Sequence, residues 1–171
     1  YTHSRVLMWA GFDAGVRAVS EHGLDGPVDA WRAHRDRLRD EVERDGVRGG
    51  AFVQHAGTDA VDAALLQLPH TGFVAPDDPR MLATVARIEA ELLDERGFVH
   101  RSRTDDAAVA DGVAGGEGSF LLCTFWLVEQ YARSGRAADA RALMDRTLAV
   151  ANDVGLLAEE YDAPRGRLAG N

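Results

Sequence analysis

Two short stretches carry the side chains best suited to chemistry. In residues 115–126, GGEGSFLLCTFW, the lone carboxylate of Glu117 follows a Gly-Gly pair and precedes an almost wholly apolar segment that opens Ser119-Phe120-Leu121. An acid placed there stands at the mouth of a buried helix, where backbone N–H groups converge, and it either faces a cavity or caps its own helix. In residues 155–161, GLLAEEY, a helix ends at Gly155, and Glu159 and Glu160 then stand side by side in a loop. Side chains of adjacent residues point apart, so at most one of the two meets a ligand directly. The chemistry open to such groups is proton transfer and hydrogen bonding to a polar ligand.

Other chemistries lack their residues. Cys123 is the single cysteine, and its apolar neighbours make it a packed small hydrophobe rather than a nucleophile. A lone thiol with no disulfide fits a reducing compartment, and the expected location is cytoplasmic. His3 stands with Tyr1 and Arg5 at the start of the first helix, but no histidine has a cysteine or carboxylate at ligand spacing. Neither a metal nor a cofactor is therefore expected. Gly-Gly-Glu-Gly lacks the following Lys-Ser/Thr of a phosphate-cradling loop, and Trp9 and Trp126 lie among apolar helix neighbours as core residues. The formal net charge of -9 excludes a non-specific nucleic-acid surface. All 19 basic residues are arginine, a bias that suggests a GC-rich bacterial source. No apolar run of ~18 residues is present, so no membrane partner is expected.

The elements that must position these residues read as helices. Residues 3–22 leave hardly any polar stripe, which predicts a first helix buried on most sides and ending near His22-Gly23. From Val28 to Arg44, Trp31, Leu38 and Val42 lie among charged positions, as on a one-faced surface helix after Pro27. A Gly-rich loop leads to Thr58 or Asp59 as N-cap of an apolar helix that runs through Leu68 and stops at Pro69. Asp78-Pro79 opens another one-faced helix, to about Glu95. A long loop, residues 97–116, carries Arg101, Arg103, Asp105, Asp106 and Asp111. A buried helix from Ser119 to Arg133 and an amphipathic one from Arg136 to about Asp153 follow, and the chain closes in a loop. Buried helices thus begin near residues 3, 59 and 118, roughly every 57 to 60 residues, each with an amphipathic helix behind it. The expected fold class is all-α, with three helical hairpins. If these stack in register, the loops before the inner helices gather on one side, where dipoles and exposed backbone favour polar groups.

The same residues carry a family resemblance. GGEGSFLLCTFWLVEQYARSGR, followed about one helix later by ANDVGLLAEEYDAPRGRLAGN, resembles the C-terminal half of the catalytic domain of glycoside hydrolase family fifteen, the glucoamylase and trehalase-like enzymes. DAALLQLPHTGFVAPDDPR and YTHSRVLMWAGFDAGVRA continue the likeness upstream in colinear order, over nearly the whole chain. The resemblance implies a six-hairpin α/α toroid, of which residues 1–171 form about half, as a fragment of a longer chain; the start at Tyr1 rather than Met fits that expectation. It further implies an inverting α-glucosidase of glucoamylase type, acting on terminal α-glucosidic bonds of oligo- or polysaccharides, with a trehalase as the alternative.

Glycoside hydrolysis needs two carboxyl groups across the scissile bond. The resemblance places the general base at the first glutamate of a Leu-x-x-Glu-Glu/Gln turn, here Glu159, with Glu160 as runner-up and second contact. Arg101 resembles an arginine that hydrogen-bonds the terminal sugar, although its flanks, His-Arg-Ser rather than Val-x-Arg-Tyr, leave Arg103 as the alternative. Glu117 would be a sugar-binding carboxylate in the ring mouth. The family's general acid lies on a Trp-Glu segment ahead of the block that residues 1–18 resemble, and no residue here matches it. The fragment alone is therefore expected to be inactive, and to self-associate through the open edges of a half ring. A reading of another class is a non-catalytic helical-repeat scaffold, which would need no paired carboxylates in its terminal turn.

Overall fold

A computed structural model describes residues 1–103 and 117–170. The expected positions Asp105, Asp106, Asp111 and the Gly115-Gly116 pair lie outside the described residues. Helix α1 spans Thr2–His22 and ends on Gly23 in the left-handed region, whose N–H returns to the Val19 carbonyl. Helix α2, Val28–Asp45, packs back along α1 and buries Leu38 and Val42 from its single apolar face. Strands β1 (Val47–Arg48) and β2 (Ala51–Phe52) then form an antiparallel hairpin. Its two-residue turn is Gly49-Gly50, with φ of 57° and 80°, the conformation that a primed turn demands and that glycine supplies without strain.

The second inner element differs from the expected α-helix. Residues Ala63–Thr71 form a 3-10 helix that begins after Asp62, not Thr58 or Asp59, and carries Pro69 inside rather than stopping at it. Proline has no N–H to donate and crowds the preceding turn of an α-helix, and the segment that contains it is wound as a 3-10 helix. Helix α3, Pro79–Leu92, follows; the Asp78 carboxylate caps it by accepting from the Arg80 N–H at 2.8 Å.

Helix α4 (Leu121–Arg133) and α5 (Ala137–Leu148) make the last hairpin. The expected closing loop instead holds two strands, β4 (Glu160–Asp162) and β5 (Arg167–Ala169), which join β3 (Ser119–Phe120) in an antiparallel sheet ordered β3-β4-β5. The pairing of Ser119 with Tyr161 and Phe120 with Glu160 fastens the turn of the two glutamates to the entry of α4.

Both α1 and α4 pack on the 3-10 helix, so these three are the inner elements and α2, α3 and α5 the outer ones, the arrangement of a partial α/α toroid. The main core lies between the layers, built on Val6, Leu65, Leu66, Met81, Ile88 and Leu127. A smaller core of Phe98, Leu121, Tyr161 and Ala163 supports the sheet. Contrary to the expectation of an inner helix buried on most sides, α1 leaves Leu7 and Met8 about half exposed, at 50% and 51%. Among the described residues no helix is long and apolar enough to cross a membrane.

Candidate active site

The inner elements all start on one side. The Thr2 N–H donates to the Gln54 carbonyl at 2.8 Å, the Ala63 N–H to Arg101 at 2.9 Å and the Leu121 N–H to Glu159 at 3.1 Å. Each otherwise unpaired helix-entry N–H is thereby answered by a carbonyl from a connecting loop, which draws the loops into one rim.

On that rim the Arg101 guanidinium lies 2.7 Å from Glu117 Oε1 and over the Phe120 ring, 5.8 Å from its centroid. Arg103 turns elsewhere, toward Glu91 of α3 at 3.9 Å. Glu117 does not cap α4, because the helix begins four positions later and Phe120 occupies the cap without a side-chain bond. The dipole reading of Glu117 therefore gives way to an ion pair with Arg101.

Glu160 is half-buried, and its Oε2 accepts from the Gly118 N–H at 2.9 Å. The approach is so close that a Cβ at Gly118 would stand 2.8 Å from the Tyr161 carbonyl oxygen. Glu159 points to the opposite side; its side chain is exposed and lies against Gly170, while its carbonyl holds the entry of α4. The structure thus brings Arg101, Glu117 and Glu160 to one rim and puts Glu159 beside them, with the two glutamates directed apart as adjacency requires. Glu117, Glu160, Asp94, His100, Ser119 and the β4–β5 hairpin line a cleft of about 620 Å³, a size suited to a small polar ligand.

Sequence reading missed two groups near this rim. Asp62 precedes the 3-10 helix with extended backbone, and its buried Oδ1 has no hydrogen-bond partner. Burial lifts its carboxyl above the usual carboxylate range, against the pull of Gln54 and His3, while burial also pushes the His3 imidazole down. Asp94 is the other, a cleft carboxylate that accepts three hydrogen bonds. An Asp before Ala-Ala-Leu-Leu is a legible cap signal, and Asp-Glu-Arg-Gly is a legible turn. Burial pushes the Cys123 thiol up to about 12, with the Asp62 charge adding to it, so this sulfur stays protonated and unreactive. Among the described residues no group of three histidine, cysteine or acidic side chains could hold a metal ion.

Residues 1–171 match the family described as Glycosyl hydrolases family 15. The chain is 38% identical over 173 residues to the Trehalase of Thermoplasma volcanium, covering 100% of this chain and 27% of that protein. It is 37% identical over 172 residues to the Trehalase of Mycobacterium tuberculosis, covering 100% of this chain and 25% of that one. A solved wild-type glycosidase superposes with a TM-score of 0.81 at 26% identity, over 98% of this chain and 44% of the other. A glycosidase variant in complex with glucose gives 0.78 with the same coverage. The chain spans about a quarter of the length of the curated relatives it matches.

Proposed function

The chain belongs to glycosyl hydrolase family 15, and from that membership we propose that residues 1–171 are part of the catalytic domain of a longer trehalase. The observation that carries the reading is a chain alike end to end to enzymes named trehalase, in which Arg101, Glu117 and Glu160 share the rim at the entry of α4 and the Glu159 backbone carbonyl is bonded to it. The names of these relatives favour trehalose over the glucoamylase-type glucan ends expected from the sequence. A helical scaffold would have no need of this convergence.

In the proposed reaction Glu159 is the general base that draws a proton from the attacking water, and the anomeric configuration inverts. Arg101 and Glu117 hydrogen-bond hydroxyls of the glucose unit, one as donor and the other as acceptor, and Glu160 completes the wall. The general acid comes from the part of the longer protein ahead of residue 1. A cytoplasmic setting fits the buried, unpaired Cys123.

The test is hydrolysis by the full-length protein. Trehalose cleaved at least ~10-fold faster, as kcat/KM, than maltose or maltotriose supports the reading. Preference for maltotriose returns it to the glucoamylase type, and activity on none of them leaves the scaffold. The 171-residue chain alone is expected to be inactive. It is also expected to self-associate, because Leu7, Met8 and Leu122 are each at least half exposed on inner helices. A strictly monomeric species in light scattering at micromolar concentration refutes that last point.

A further inference from the structure

Asp94 uses its carboxylate oxygens for different tasks. Oδ1 accepts from the Arg96 N–H at 2.8 Å and the Phe98 N–H at 2.9 Å, which closes the turn after α3. Oδ2 accepts from the Ser119 hydroxyl at 2.6 Å, a charge-assisted bond to another part of the chain. Ser119 is 1% exposed and pairs with Tyr161 across the β3–β4 ladder. One residue before it, the Gly118 N–H holds the Glu160 carboxylate; two residues after it, the Leu121 N–H holds the Glu159 carbonyl.

We propose that Asp94 is a positioning residue, which acts through Ser119 to fix strand β3 and with it the place of Glu159 and Glu160 at the rim. The turn accounts for Oδ1 alone. The bond from Oδ2 to a buried serine between the two attachment points of the glutamates is what a turn does not require. Misplacing a reacting carboxylate by about an ångström slows the chemical step far more than it weakens substrate binding. The inference rests on the reading of Glu159 as the base, and Ser119→Ala separates it from a turn role because that change leaves Oδ1 untouched.

The experiment compares Ser119→Ala, Asp94→Asn and the double variant in the full-length protein. Ser119→Ala is expected to lower kcat on trehalose by ~10-fold or more while KM moves less than ~3-fold. The double variant should be no slower than the slower single one, because both act on the same link. Amide exchange at Leu121 should quicken by ~10-fold in Ser119→Ala. Unchanged kcat in a folded Ser119→Ala variant, or losses that simply add, overturns the proposal.

Asp94→Asn serves if Ser119→Ala does not fold. Its amide oxygen keeps the turn while its NH2 group can only donate to the Ser119 hydroxyl, a neutral bond with its direction reversed in place of the charge-assisted one, and unchanged kcat together with unchanged Leu121 exchange again overturns the proposal. If the wild type hydrolyses neither trehalose nor maltose, the reading of function fails by itself, and exchange at Leu121 still decides whether Asp94 fixes β3.

Discussion

Arg101 and Glu117, sixteen residues apart, meet at 2.7 Å on the rim where the inner elements begin. Their side chains are 45% and 27% exposed, so the pair adds little to stability, under about 1 kcal/mol. In the proposed function this partly exposed pair of opposite charges, with Arg101 over an aromatic ring, serves the sugar rather than the fold. Its donor and acceptor groups can open toward hydroxyls without leaving a buried charge behind.

Arg101→Lys and Glu117→Gln should therefore each lower kcat/KM for trehalose in the full-length protein by ~10 to 100-fold, as lost charged hydrogen bonds do. The melting temperature should move by no more than about 2 °C. Arg101→Lys keeps the charge but loses the planar fork, so a full-speed lysine variant would show that charge alone matters. Arg103→Lys, turned toward Glu91, is expected to leave kcat/KM unchanged.

Gly118→Ala tests the close approach of β3 to β4. The added methyl would stand 2.8 Å from the Tyr161 carbonyl oxygen and 3.1 Å from Glu160 Oε2, so the strands must part. The expected loss is about 1–3 kcal/mol of stability, measured by denaturant unfolding. Activity in the full-length protein should fall as well, since the same contact holds Glu160.

Much of the helical layout was legible because its signals are local. The charged face of α2, the Asp78-Pro79 start of α3 and the apolar run of α4 are each fixed within one segment, and the structure places helices there. What escaped reading depends on partners far along the chain. Strands of two or three residues carry no usable alternation, and β3 acquires its identity only by pairing with β4 about forty residues later. The 3-10 element that contains Pro69 is packed between α1 and α4, and periodicity alone reports neither its winding nor its place. Arg101 and Glu117 were both visible as candidates, but their meeting was not, because the intervening length conceals it.

Asp62 gives a pH dependence with a definite sign. Burial raises its folded-state pKa above the ordinary 3.8. Its contribution therefore favours the folded state below that value and is lost as pH rises through the higher folded value. His3, held below its ordinary 6.5 by burial, works the other way: its contribution is present above 6.5 and is lost as pH falls through the lower folded value. Asp62→Asn should consequently raise the melting temperature near pH 7, where the raised carboxyl pKa costs the wild type stability, and give no gain in acid. Equal shifts at both pH values would show that Asp62 stays paired in the folded state.

The sharpest division of labour is between the adjacent glutamates. Glu160 spends one oxygen on the Gly118 N–H, whereas the exposed Glu159 side chain makes no such bond with the α4 entry and is tied there only through its backbone carbonyl. A base must keep its carboxylate oxygens available to water, and Glu159 meets that need better than its neighbour. Glu159→Gln in the full-length protein is expected to lower kcat on trehalose by ~10² to 10⁴, with a modest change in KM, because the proton is taken in the transition state. Glu160→Gln should cost less, since its amide oxygen can still accept from Gly118. A larger loss at Glu160 than at Glu159 would shift the base by one residue, and full activity in both variants would leave the turn without a catalytic part.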